Sequence, residues 1–367
     1  MRGIKYLVHS KLNNCMKNTL IILGSFIISC CGTSQSSSTS KTTLDPKPNA
    51  NTESTVITYA ESITAKELKD YLYTFAGDDF EGRDTGEPGQ KKAAEYLKKQ
   101  YQRMGIPSPL GGDDYFQEIP KSYFRGDIQA SENVLAFIEG TEKPEEIVVL
   151  SAHYDHVGKD SSGNIYNGAD DDGSGTVSLL EIADAFIQAK KDGNGPKRSI
   201  LFLHVTGEEK GLYGSRFYTE NPVFPLENTV TDLNIDMIGR IDEKHEDEDK
   251  NNYVYLIGSD RLSTELHEIS EEANTKYTKL DLDYTYNAEN DPNRFYFRSD
   301  HYNFAKHNVP IIFYFNGVHE DYHKPSDTPD KIEYDLMAKR AQLVFYTAWE
   351  VANRSERIVV DGAKEKK

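Results

Sequence analysis

The chain has 367 residues, a formal net charge of −18 and 37% hydrophobic residues, enough apolar material for one large α/β domain with short appendages. Its 60 acidic residues outnumber 42 Lys and Arg that are nowhere clustered, which argues against a nucleic-acid partner, because phosphate binding needs concentrated basic side chains. All three cysteines, Cys15, Cys30 and Cys31, lie near the start, so the body can form neither a disulfide nor a thiolate-ligated zinc site, and any metal must be held by histidines and carboxylates.

Arg2, Lys5, Lys11 and Lys17 precede the apolar run Thr19 to Ser29 with no intervening acid. This is the pattern of a signal peptide over residues 1–29, and the run is too short for a membrane span. Ile27-Ile28-Ser29-Cys30 resembles a bacterial lipobox, which predicts lipidation of Cys30 and a protein anchored in the cell envelope with its body outside the cytoplasm. An ordinary cleaved signal peptide is the competing reading. Residues 30–55, rich in Ser, Thr, Asn and Pro, are expected to form a flexible tether.

The folded domain is expected over residues 56–355, with a charged tail at 356–367. Thr64 to Asp78 has Leu68, Leu72 and Phe75 at helical spacing, with Thr64 and Glu67 as a capping box. Asp78 to Gly89 is a turn-rich loop, and Gln90 to Gly105 an amphipathic helix closed by glycine. Asp113 to Pro120 and Glu132 to Gly140 read as a hairpin leading to a strand at Glu146 to His153. Ser199 to Gly207, Thr229 to Asp236 and Tyr253 to Gly258 read as further strands, with helices at Leu262 to Tyr277 and Leu336 to Asn353. Ile241 to Asn252 reads as a solvated charge run. Strands alternating with helices imply a mixed, mostly parallel sheet between helical layers.

The chemistry-bearing residues gather between Ser151 and Gly214. His153 and Asp155 follow one buried strand as a His-x-Asp pair, suited to an imidazole ligand whose second nitrogen is held by a carboxylate. Asp170, Asp171 and Asp172 sit in a glycine-rich loop opening a helix. Glu208 and Glu209 follow the next strand, so one can bind a metal while the other stays free as a base. Polar residues at the carboxyl ends of strands occupy the place where open α/β sheets put their ligands. His156 is read as structural, because one turn cannot easily present it and His153 to the same metal. His204, His267, His301, His307 and His319 are also read as structural, Asp170 and Asp172 as loop or N-cap carboxylates, and Asp327 as a turn residue.

Ala152-His153-x-Asp155, Gly168 to Gly175, Gly207-Glu208-Glu209-x-Gly211, Asn234-x-Asp236-Met237-x-Gly239 and Tyr322-His323 occur in the order seen in M28 family metallopeptidases. From about Leu68 onward the chain resembles the co-catalytic dizinc aminopeptidases of that family. The resemblance implies a three-layer α/β/α zinc-exopeptidase fold and two Zn2+ ions bridged by Asp171. His153 and Asp236 would complete one ion, Glu209 and His323 the other, with a cis Asp171–Asp172 peptide. Glu208 would be the general base acting on a metal-bridging water, Tyr322 a donor to the oxyanion, and Asp155 the carboxylate that orients His153. Arg298 is a weaker candidate for the carbonyl or carboxylate end of a peptide.

The residue types are physically apt. Two divalent ions about 3.5 Å apart repel by roughly 19 kcal/mol even at an effective dielectric of about 20. The carboxylates of Asp171, Glu209 and Asp236 would offset most of that charge. The expected activity is removal of N-terminal residues from peptides. The alternatives are a single-zinc glutaminyl cyclase-like acyltransferase, against which the His153 and Asp236 pair counts, a carboxypeptidase or dipeptidase on the same scaffold, and a non-catalytic binding lipoprotein.

Overall fold

The computed structural model describes residues 50–247 and 249–362. The expected signal segment, Cys30 and the expected tether as far as residue 49 lie outside the described residues. In chain order the strands are β1 (Phe116–Ile119), β2 (Ser131–Ile138), β3 (Lys143–His153), β4 (Gly158–Lys159), β5 (Ile165–Tyr166), β6 (Arg198–Val205), β7 (Thr229–Ile235), β8 (Tyr253–Ile257), β9 (Asp281–Asp283) and β10 (Ile311–Phe315). The helices are α1 (Ala50–Ala60), α2 (Ala65–Phe75), α3 (Pro88–Met104), α4 (Gly175–Lys191), α5 (Tyr213–Glu220), α6 (Thr264–Ala273), α7 (His301–Ala305) and α8 (Tyr334–Asn353).

Eight strands form one sheet in the order β1-β2-β6-β3-β7-β10-β8-β9, and β4 pairs with β5 in a separate hairpin. The central strands β6, β3, β7 and β10 run parallel. Antiparallel β1 and β2 extend one side, while on the other β8 runs antiparallel to β10. The sheet is mixed and covered on both faces, as the sequence predicts.

Alternation along the strands divides the core. In β3, Val148, Leu150 and Ala152 point into the larger cluster with α1 to α4, α6 and α8, while Ile147 and Val149 point into the smaller one, which also holds Tyr218 of α5 and Phe304 of α7. Each fully buried Val, Leu, Ile or Phe among them contributes roughly 1.5–3 kcal/mol. Polar side chains inside the strands, such as Ser151, Asp232 and Asn234, are bonded to one another, and the carboxyl ends of the four parallel strands converge on one edge.

Thr64 caps α2 as predicted, its Oγ1 accepting the Glu67 N–H at 3.2 Å, and α3 ends at Gly105 with φ 78°. Three boundaries differ from expectation. Residues 50–55, read as tether, belong to α1, which is anchored by buried Val56, Tyr59 and Ala60; the Ser/Thr-rich first half of that helix hides the helical spacing of its second half. The charge run after Ile241 is not solvated throughout: Asp242 is buried and accepts the Tyr255 hydroxyl at 2.8 Å. Residues 356–362 lie against the domain, with Ile358 buried and Asp361 accepting the Thr264 N–H at 2.9 Å. Among the described residues no helix is long and apolar enough to cross a membrane.

Candidate metal centre

His153 ends β3, Glu208 and Glu209 follow β6, Asp236 follows β7, and Tyr322 and His323 lie in the loop after β10. The glycine-rich loop before α4 adds the three aspartates, and its Asp171–Asp172 peptide is cis, as the resemblance implies. All of these segments meet at the carboxyl edge of the parallel strands, as the position of the polar residues predicts.

The three aspartates divide by alternation. Asp170 Oδ1 accepts the Gly239 N–H at 2.7 Å, and Asp172 Oδ1 accepts those of Met237 at 3.0 Å and Gly175 at 2.9 Å. These bonds tie the loop to the segment that carries Asp236. Asp171, between them, turns its carboxylate into the site. Its Oδ1 lies 3.2 Å from His153 Nε2, and its Oδ2 lies 3.0 Å from His323 Nε2.

Two groups of potential ligand atoms result, each with its atoms within 4.8 Å of one another: His153, Asp172 and Asp236 in one, and His156, Asp171, Glu209 and His323 in the other. Asp171 also reaches the first group through Oδ1, so a carboxylate shared between two cations fits the arrangement. Asp172 was expected to be a loop or N-cap residue, and its bond to Gly175 agrees, yet its second oxygen is buried without a partner. Asp171 Oδ2, Glu209 Oε1, His323 Nε2 and both nitrogens of His156 are likewise buried and unpartnered. Nitrogen and carboxylate donors left in this state suit divalent cations such as zinc.

Charge within the cluster follows from burial and proximity. Burial acts to lower the pKa of His323, but Asp171 and Glu209 outweigh it and lift the imidazole to about 10. Burial pushes the Glu208 carboxyl well above the usual range, with Asp236, Asp300 and Glu209 adding to the effect against His153. The neighbouring glutamates face different ways. Glu208 lines the central cavity with His153, Asp171 and Asp236, whereas Glu209 Oε1 lies 3.1 Å from His323 Nε2 and 2.8 Å from His156 Nδ1.

Tyr322 also lines the cavity, and its ring stacks on that of His323 at 3.9 Å. Burial pushes its hydroxyl pKa far up, so it stays a proton donor. Met237, Phe295, Phe313, Phe315 and Val318 make an apolar wall, with exposed Arg298 beside them.

Asp155 departs from its expected part. His153 Nδ1 lies 3.1 Å from the Asp155 backbone carbonyl and 3.8 Å from its carboxylate. That carboxylate instead accepts the Thr85 hydroxyl at 2.7 Å and the Glu208 N–H at 3.2 Å. A residue two positions along can offer main chain as readily as side chain, and spacing alone does not choose between them.

Sequence reasoning passed over several participants. His156 and His153 do face separate groups, yet both belong to the site. Asp327, read as a turn residue, is buried and accepts the N–H groups of Asp170 at 3.0 Å and Asp171 at 3.2 Å. His319 Nε2 lies 3.1 Å from Asp170 Oδ2. Arg83 is wholly buried and donates to the carbonyls of Tyr154, Phe75, Asn167 and Gly168, bracing the His153 turn against the aspartate loop. Its place in the turn-rich loop from Asp78 to Gly89 gave no sign of this role. His204 and His301 conform to expectation: both are buried outside the two groups of ligand atoms and kept neutral by that burial.

A mixed α/β sheet whose carboxyl edge gathers two groups of imidazoles and carboxylates around one shared aspartate defines a protein with two candidate metal sites. The model of peptidase family M28 matches residues 133–348, and the chain belongs to that family. A probable leucine aminopeptidase of Arthroderma otae is 28% identical over 65% of this chain and 71% of its own length. A second, from Trichophyton verrucosum, is 32% identical over 60% of this chain and 57% of its own length, so the chain spans little more than half of that relative. Among solved structures, the LapA aminopeptidase of Legionella pneumophila superposes with a TM-score of 0.63 at 20% identity, covering 83% of this chain and 76% of the other. A zinc aminopeptidase from Bacillus subtilis gives 0.61 at 17% identity, covering 82% and 99%. These likenesses establish the α/β fold.

Proposed function

We propose that the chain is a zinc-dependent aminopeptidase that removes N-terminal residues from peptides. The observation that carries the reading is the divergence of the two adjacent glutamates, Glu208 toward the cavity and Glu209 toward His156 and His323. Asp171 would be shared between two ions, with His153 and Asp236 on one and Glu209 and His323 on the other. Zinc bound there would supply Lewis acidity, polarising the scissile carbonyl and acidifying the attacking water.

The chain's own groups supply the rest. Glu208 takes the proton from the attacking water and delivers it to the leaving amine, and its proximity to the cavity supports this task. Its raised pKa reflects burial among carboxylates, and a nearby cation would draw it back toward ionisation. The Asp155 carboxylate holds the Glu208 main chain in place. Tyr322, protonated throughout, donates to the developing oxyanion. The wall of Met237, Phe295, Phe313, Phe315 and Val318 would take an apolar N-terminal side chain, a preference in keeping with the leucine aminopeptidase names of the relatives.

The test is hydrolysis of a panel of aminoacyl p-nitroanilides by the fragment beginning at residue 50, with and without chelator. The reading requires chelator-sensitive release, restored by zinc and greatest with leucine or larger apolar residues. If zinc binds but no member is cleaved, the aminopeptidase reading fails. Arg298 beside the cavity then favours a carboxypeptidase or dipeptidase that grips a substrate carboxylate. Cyclisation of N-terminal glutamine with a single bound zinc would favour the acyltransferase.

The anchored location is part of the same proposal. Fatty-acid labelling of the full chain in a bacterial host, lost in Cys30→Ala, is the expected result. Labelling that persists in that variant counts against the lipid anchor at Cys30.

A further inference from the structure

His156 is buried to 0% exposure, yet neither of its ring nitrogens has a hydrogen-bond partner. Its position is held from outside the ring. The backbone N–H donates to the Arg83 carbonyl at 3.1 Å, and Gly168, at φ +52°, leaves room for the imidazole: a Cβ there would lie 2.6 Å from the ring. Glycine at 168 thus leaves room for the Asp171 carbonyl, 2.2 Å from such a Cβ, and for a polar ring buried without an aligned hydrogen bond at either nitrogen. Such a group is expected where a ligand completes it.

The distances identify the ligand class. His156 Nδ1 is 2.8 Å from Glu209 Oε1 and 3.7 Å from Asp171 Oδ2. His323 Nε2 is 3.1 Å from that same Glu209 oxygen and 3.0 Å from that same Asp171 oxygen. For a tetrahedral zinc with bonds of about 2.0–2.1 Å, neighbouring donor atoms stand about 3.3 Å apart. The measured separations scatter around that edge. His156 and Glu209 make no aligned hydrogen bond despite their closeness, as expected of two atoms converging on a common third.

We propose that His156 is a direct metal ligand, so that one ion is held by His156, Asp171, Glu209 and His323 and the other by His153, Asp171 and Asp236. The inference rests on the reading of Asp171, Glu209 and His323 as ligands and adds a fourth protein donor to them. Its consequence is that loss of His156 weakens the hold on the ion beside it and spares the ion beside His153.

The test uses the protein loaded with ¹¹³Cd and labelled with ¹⁵N at histidine. Scalar coupling between cadmium and nitrogen is expected for three imidazoles, those of His153, His156 and His323, and one coupling should vanish in His156→Gln. Coupling to only two imidazoles in the wild-type protein overturns the proposal while leaving the two-metal reading intact; that measurement does not depend on any variant folding. Chelator competition provides the second readout. The zinc held with Glu209 and His323 should be lost from His156→Gln at about 10- to 100-fold lower chelator concentration, as expected for disturbing a metal's donors, with the other site unchanged. Equal retention in wild type and His156→Gln, with Glu209→Gln still losing that zinc, refutes the role of His156 alone. A protein that binds neither cadmium nor zinc refutes the metal reading itself.

Discussion

The carboxylate of Asp327 accepts the backbone N–H of Asp171 at 3.2 Å across 156 residues of chain. It accepts the Asp170 N–H as well, so one buried side chain fixes the main chain from which the shared aspartate projects. Asp327→Ala leaves both N–H groups without their acceptor, each costing about 1–3 kcal/mol if it stays buried and unpaired. We expect a lower denaturation midpoint and zinc affinity reduced about 10- to 100-fold, measured by titration of the metal-stripped protein. Unchanged zinc affinity would show that the loop holds its shape without Asp327.

The adjacent glutamates predict opposite phenotypes. Glu208→Gln should lower kcat by about 10²- to 10⁴-fold with both zinc ions still bound, the usual contribution of a general base. Glu209→Gln should lose zinc. Metal analysis beside steady-state kinetics separates the two, and zinc loss from Glu208→Gln would reverse their assignment.

Metal removal should cost stability. Buried, unpartnered oxygens on Asp171, Asp172 and Glu209 stand close together, and cations binding the folded state alone stabilise it by mass action. At free zinc about 100 times Kd the gain is about 2.7 kcal/mol per site. Calorimetry should show Tm rising with zinc and falling on chelation; an unmoved Tm would contradict binding to the folded state.

Acid should weaken the fold through His204 and His301. Burial lowers both from 6.5 to about 3. Their contribution is fully present above about pH 6.5 and is lost as pH falls toward 3, because the unfolded chain takes up protons that the folded chain refuses. His204 Nε2 lies 2.7 Å from the Tyr101 hydroxyl, so His204→Gln keeps a polar partner there. Denaturation midpoints between pH 4 and 7 should fall less steeply for this variant, and an identical slope would remove His204 as a cause.

Glu181 of α4 works at the other end of the scale. Burial raises its carboxyl from 4.5 to about 8, with Glu67 and Asp184 adding to the shift. Stability is fully present below about pH 4.5 and declines as pH rises to about 8, where the buried group must ionise. Glu181→Gln should match the wild type at pH 4 and exceed it at pH 9 by of order a few kcal/mol, read from urea midpoints. No gain at pH 9 would mean that the carboxylate is solvated in place.

Much of the site was legible because its residues sit in short local patterns. A strand rich in Val, Ile and Leu that ends in His153 places that histidine at a sheet edge whatever the rest of the chain does, and the Glu208–Glu209 pair follows a second such strand. Asp171 was set apart from Asp170 and Asp172 by the family resemblance alone, as the first of the pair directly before Gly173-Ser174-Gly175. His156 was read as structural because it could not share a metal with His153; the structure places it in the other group of donor atoms, beside Glu209 and Asp171, and a linear sequence does not show where that group lies.

The order of residues by itself determined the two-faced sheet, its helical layers and the set of donor types, because periodicity, caps and strand ends are properties of neighbouring residues. Tertiary structure decided what distant residues do to one another. It brought Asp327 under Asp171, set Arg83 between the His153 turn and the aspartate loop, gave Asp155's carboxylate to Glu208 in place of His153, and buried His156 against Glu209. These contacts join segments whose separation along the chain carries no signal of their approach. Their distances of a few ångströms arise only when the sheet brings its strand ends to one edge.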